Sequence, residues 1–146
     1  MDEYKLVSPC DRALLLDYKA ECFLLKKDYG NAVKKREKAI SIMEKMHTKD
    51  ADMRTANLLS NLYNNLSNTY LLMKRANEAA NALRTAFDVR MEYTHLGLTE
   101  SHDSLQQMMN IINILLLAKD VDNAKIVFEQ YESLVLEHLS DQILNI

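Results

Sequence analysis

The side chains in this sequence with the most usable chemistry are amides. Asn57, Asn61, Asn64, Asn65 and Asn68 recur at helical spacing and fall on one side of a helix at about 100° per residue. The apolar residues of the same stretch, Leu59, Leu62, Tyr63, Leu66, Tyr70 and Met73, fall on the opposite side. Asparagine costs a helix about 0.5 kcal/mol relative to alanine, so a merely solvated face is more cheaply built from Glu, Lys or Gln. Each amide offers one acceptor and two donors, and can pair with both the N–H and the C=O of an extended peptide. Gln106, Asn110 and Asn113 continue the pattern two helices later, with Met109 beside them. Asp17 and Glu21 place two carboxylates one turn apart, which suits a ligand with a positive end. The competing reading is an ordinary polar surface in a chain with 12 asparagines among its 146 residues.

Other chemistries are poorly provided for. His95, His102 and Asp103 lack the tight spacing of metal ligands and have no cysteine nearby. Cys10 and Cys22 are too few for a disulfide scaffold. No nucleophile, base and orienting group assemble from local spacing, so no catalytic residue, metal or cofactor is expected and the chain reads as a non-enzyme. The basic run Lys26, Lys27, Lys34, Lys35, Arg36 and Lys38 is interleaved with Asp28 and Glu37. With a net charge of −3 it reads as a solvated outer helix face, not a nucleic-acid surface. Met43, Met46, Met53, Met73, Met91, Met108 and Met109 sit at helical spacing and read as core filler. His47 and His138 fall near helix C-termini, where positive charge is favoured.

The elements that must position these residues are helices. The sequence has 2 glycines and 1 proline, against roughly 10 and 7 for average usage at this length. Sandwiches, barrels and Gly-rich phosphate loops are excluded by that shortage. Apolar periodicity predicts six helices near 11–27, 30–47, 50–74, 77–94, 101–119 and 121–139. Longer connections are expected at Met46–Asp50 and Thr94–Asp103, the second holding Gly97 and the caps Thr99 and Ser101. Gly30 is expected in the first hairpin turn and Pro9 just ahead of the first helix. No apolar run reaches the ~18 residues of a membrane span. Nor does the N-terminus read as a signal peptide, so a cytoplasmic protein without membrane contact is expected.

The short connections repeat. Lys26-Lys27-Asp28-Tyr29-Gly30-Asn31-Ala32 matches Ala118-Lys119-Asp120-Val121-Asp122-Asn123-Ala124 at 4 of 7 positions. Met73-Lys74-Arg75-Ala76-Asn77-Glu78-Ala79 shares the Lys and the final Ala. Ala32, Ala79 and Ala124 are 47 and 45 residues apart, the period of a helical repeat array.

Twelve residues before each Ala stand Ala20, Ser67 and Ile112, followed by Phe23, Tyr70 and Leu115. Leu16, Tyr63 and Met108 precede them by a turn, and Ala39, Ala86 and Tyr131 occupy a later small position. This pattern resembles the tetratricopeptide repeat, in a long form similar to the repeats of kinesin light chain. The middle repeat fits best. The first departs at Lys19 and Arg36, and the third at Ile112 and Tyr131.

The resemblance implies an all-α fold: a right-handed solenoid of three helical hairpins, with repeats near 11–47, 50–94 and 101–139 in one domain of residues 1–146. First helices of this family line a concave groove, and asparagines there hold peptides. The implied peptide or partner site is Asp17, Glu21, Asn61, Asn64, Asn65, Asn68, Gln106, Met109, Asn110 and Asn113. The basic clamp by which some members grip chaperone tails is not reproduced, because Asp17, Gln106 and Asn110 stand at its positions.

The last helix is apolar at Val121, Ala124, Val127, Phe128, Tyr131, Leu134, Val135 and Leu139, and only a tail of residues 140–146 follows it in this sequence. Solenoids usually finish on a polar cap, so either self-association through this end or a longer array is expected. Two further readings stand beside the groove-binding module. One is a structural or oligomerising segment with an empty groove. The other is the sensory part of a bacterial peptide-responsive regulator.

Overall fold

The computed structural model describes residues 7–49, 52–94 and 101–144. They form six helices: α1 (Pro9–Leu25), α2 (Tyr29–Lys49), α3 (Met53–Leu72), α4 (Ala76–Thr94), α5 (Ser101–Leu117) and α6 (Val121–Leu144). No strand occurs among the described residues. Gly97 lies outside them.

Each hairpin turn is made the same way. Lys27, Lys74 and Lys119 adopt left-handed backbone, with φ of 58°, 60° and 61°. At each, the following residue donates its N–H to the carbonyl five back: Asp28 to Phe23 (2.8 Å), Arg75 to Tyr70 (2.8 Å) and Asp120 to Leu115 (2.9 Å). The lysine N–H itself bonds three back, to Leu24, Leu71 and Leu116. This is the Schellman ending, which satisfies carbonyls that the terminating helix leaves bare. Asp28 and Asp120 then cap the next helix, each side chain accepting from the backbone N–H and the amide of Asn31 and Asn123 respectively. The repeated Lys-Asp and Asn-Ala pairs therefore encode one stop and one start.

Several boundaries differ from the sequence reading. Pro9 is the first residue of α1, where its missing N–H costs nothing, behind the cap Ser8. Gly30 is helical in α2, and a Cβ there meets nothing within 4 Å, so the turn does not need its freedom. Helix α2 continues through Lys49, leaving only residues 50–52 before α3. Asp52 starts α3 with a capping box: it accepts from Thr55 N–H at 2.7 Å, and its own N–H donates to Thr55 Oγ1 at 3.0 Å. Helix α6 runs to Leu144 and takes up most of the expected tail.

Each helix packs on its neighbours in the chain, and α1 also touches α3. Packing of consecutive pairs in this way is consistent with a helical repeat. The core is correspondingly linear. One buried cluster joins Ala13 and Leu16 of α1, Ala39, Ile40 and Met43 of α2, Leu59, Leu62 and Leu66 of α3, and Ala82 of α4. A second joins Ala79, Ala80, Leu83 and Phe87 of α4 to Ile111, Ile114 and Leu115 of α5 and Ala124 and Val127 of α6. Tyr70 touches both.

Small residues set the close approach within hairpins. Ala20, Ala32, Ala39, Ala79 and Ala86 are wholly buried. Between α3 and α4 the helices are near enough for Ser67 Oγ to donate to the Ala79 carbonyl at 2.7 Å and Ser60 Oγ to that of Ala86 at 3.1 Å. A hydroxyl with a backbone acceptor is how a polar side chain is buried at little cost.

Candidate functional groove

The amide row of α3 faces two different environments. Asn65 turns toward α1, and its amide donates to Asp17 Oδ2 at 3.0 Å. Asn64 and Asn68 turn the other way, toward α5. There they line a groove of about 360 Å³ with Asn110 and Asn113. Ser67, Leu71, Leu83 and Ile114 complete its lining, with Ser67, Leu83 and Ile114 buried at its floor. Asn68 and Asn113 are exposed, while Leu83 and Ile114 are buried. An apolar floor beneath a rim of donor–acceptor amides is the composition of a ligand site for polar, uncharged groups.

The groove exists because α5 stands off α3. Among the described residues α1 touches α3, but α5 packs on α4 and α6 and not on α3. At the α1 side the space is closed by a polar cluster centred on Arg36. Its Nε donates to Asp17 Oδ1 at 3.0 Å, and one terminal nitrogen donates to Glu21 Oε1. The other donates to Thr69 Oγ1 at 2.5 Å and to the Asn65 carbonyl at 3.3 Å. Arg36 is 1% exposed. Burying a guanidinium costs several kcal/mol unless its donors are filled, and here acceptors from both α1 and α3 take four of the five.

One expectation is corrected by this cluster. Arg36 does not belong to the solvated outer face with Lys34 and Lys38, which are exposed while it is buried. The chain's own arginine supplies a positive partner to Asp17 and Glu21.

The remaining residues of the expected site are dispersed. Asn61 and Met109 are exposed on α3 and α5 without lining the groove. The Gln106 side chain lies outside the described residues, as do those of His102 and Asp103. The floor residues Leu71, Leu83 and Ile114 were not anticipated as part of a site.

Two tyrosines hold α3 to α2 along the seam behind the groove. Tyr63 donates to Glu44, and Tyr70 to Glu37 Oε1 at 3.4 Å. The two tyrosines are about two turns apart on α3, and so are the two glutamates on α2, so the pairs lie one above the other. Burial, together with the neighbouring glutamates, pushes both phenols above their ordinary range. His47 extends the seam, with Nδ1 3.5 Å from Thr55 Oγ1 and Nε2 3.5 Å from Glu92 Oε2.

No group of three or more metal-ligating side chains occurs among the described residues. No helix among them is long and apolar enough to cross a membrane. Comparison of the sequence with protein-family models and with curated proteins gives no match.

Proposed function

We propose that this chain is a non-enzymatic, cytoplasmic interaction module of the tetratricopeptide type, a right-handed solenoid of three hairpins that binds an extended peptide between α3 and α5. The reading is carried by one observation: Asn64, Asn68, Asn110 and Asn113, from two separate helices, converge on one groove with an apolar floor. Amides on both rims pair with peptide N–H and C=O groups whatever the peptide's side chains. Leu71, Leu83 and Ile114 accept an apolar side chain between them, and that contact supplies selectivity. The repeated turns and small buried positions support the family assignment.

The test begins with selection of binders from a displayed random-peptide library, followed by titration of the best peptide. Asn68→Ala combined with Asn113→Ala is expected to weaken binding about tenfold or more, since each lost hydrogen bond is worth about 0.5–1.5 kcal/mol. Both side chains are exposed, so the melting temperature is expected to stay put. Unchanged affinity, or failure to select any groove-dependent peptide, refutes the reading.

A further inference from the structure

The groove has a counterpart in the first junction of the repeat. Offsets of 47 and 45 residues, taken from Ala32, Ala79 and Ala124, relate the two. They carry Asp17, Glu21 and Arg36 onto Asn64, Asn68 and Leu83, and Asn65 and Thr69 onto Asn110 and Ile114. The first five residues are the buried cluster: Arg36 with the four residues that its guanidinium bonds. The second five all line the groove. One set of register positions is thus built twice. Between α1 and α3 it is filled by an arginine of the chain. Between α3 and α5 the arginine's position is taken by Leu83, which has no polar head, and a space of about 360 Å³ is open.

The two versions differ in charge as well. The acidic pair that holds Arg36 is replaced by two amides, and Thr69 by Ile114. No residue lining the groove is charged. A guanidinium or a carboxylate entering it gives up water without gaining a counter-charge, and both are disfavoured. A wholly apolar group covers the rim and leaves its amides unpaired. A carboxamide escapes both penalties. It is uncharged, and its one acceptor and two donors match those of asparagine.

Building on the reading of the groove as a peptide site, we propose that the bound peptide presents a glutamine or asparagine side chain. Its carboxamide takes the place that the guanidinium of Arg36 holds in the first junction. Asn68 on α3 and Asn113 on α5, both exposed, supply the amides that pair with it. Asn64 and Asn110 hold interactions of their own within the chain and are left as they stand. The buried floor at Leu83 and Ile114 receives the apolar side chain of a neighbouring peptide residue. The ligand class is therefore an uncharged peptide segment with a carboxamide beside an apolar group.

The probe is the peptide selected for groove binding, labelled with a fluorophore. It is resynthesised with Gln, Asn, Glu, Arg and Leu in turn at each position and titrated by anisotropy against the whole chain. At one position Gln or Asn is expected to bind about tenfold tighter than Glu, Arg or Leu. Asn68→Glu puts back the residue type that stands at this register position in the first repeat, Glu21. It is expected to move the preference at that same peptide position to Arg. Asn68 is exposed, and circular dichroism checks that the variant is folded. Where it is not, the wild-type scan decides alone. A peptide that binds the groove with no position favouring a carboxamide overturns the proposal and leaves the groove reading standing. So does a folded Asn68→Glu variant that keeps the wild-type order of preference. If no groove-dependent peptide is selected, both fall together.

Discussion

Arg36 of α2 and Asp17 of α1 are joined at 3.0 Å across a hairpin whose core is otherwise apolar, and Asn65 of α3 reaches the second oxygen of the same carboxylate. Three helices thus meet at one side chain. Replacing Arg36 by Ala leaves Asp17, Asn65 and Thr69 short of a partner in a buried place. A loss of about 3–5 kcal/mol in urea unfolding is expected. Arg36→Leu copies what Leu83 does in the next repeat. It is expected to recover part of that loss only when Asp17 is also neutralised to Asn.

The left-handed lysines carry strain that glycine does not. Lys74→Gly is expected to raise stability by about 0.5–1 kcal/mol, the balance of relieved backbone strain against the entropy of a more flexible unfolded chain. Gly30→Ala is expected to stabilise as well, by roughly 0.5 kcal/mol, because the site is helical and has room for a methyl. Thermal melts of the two variants check both signs.

The α3–α4 contact tolerates no added bulk. Ala79→Leu pushes against α3, whose Ser67 bonds the Ala79 carbonyl at 2.7 Å, and a cost of about 1–3 kcal/mol is expected. Ser67→Ala removes the bond without adding volume and is expected to cost less. The reverse order of the two destabilisations excludes close helix approach as the reason for the small residues.

Acid sensitivity has an identifiable contributor in Asp52. Hydrogen bonds from the Thr55 backbone hold its carboxyl below the usual range. A carboxylate with a lowered folded-state pKa contributes stability above its unfolded value, and that contribution is lost as pH falls through the folded one. Asp52→Asn keeps a capping oxygen but cannot titrate. Its melting temperature is therefore expected to fall less steeply than that of the wild type on acidification from about pH 5. Parallel curves rule out Asp52 as a contributor.

Helices, repeat and small positions were legible in the sequence because each is local or strictly periodic. Lys27, Asp28, Asn31 and Ala32 recur as Lys119, Asp120, Asn123 and Ala124 for a reason visible in the hydrogen bonds of the turn. The burial of Arg36 was not legible. Within Lys34-Lys35-Arg36-Glu37-Lys38, nothing local distinguishes the one cation that turns inward, and the choice is made by Asp17 and Thr69, 19 and 33 residues away. The groove was half legible. Its amides could be read from helical spacing on α3 and α5, but its floor depends on α5 standing off α3, which is a property of packing and not of either helix. Gly30 misled because glycine suggests a turn, and here the turn was already made by Lys27.

A hairpin reversed by a lysine, bonded on both sides of the bend and seated on alanines, is a stiff joint. The three bends of this chain share that construction. Among the described residues the third hairpin meets the second through α4 and α5, where Leu83 and Phe87 share a cluster with Ile111 and Ile114. The array is accordingly asymmetric in how it is joined: a buried ion cluster ties α3 to the first hairpin, and an apolar cluster ties α4 to the third.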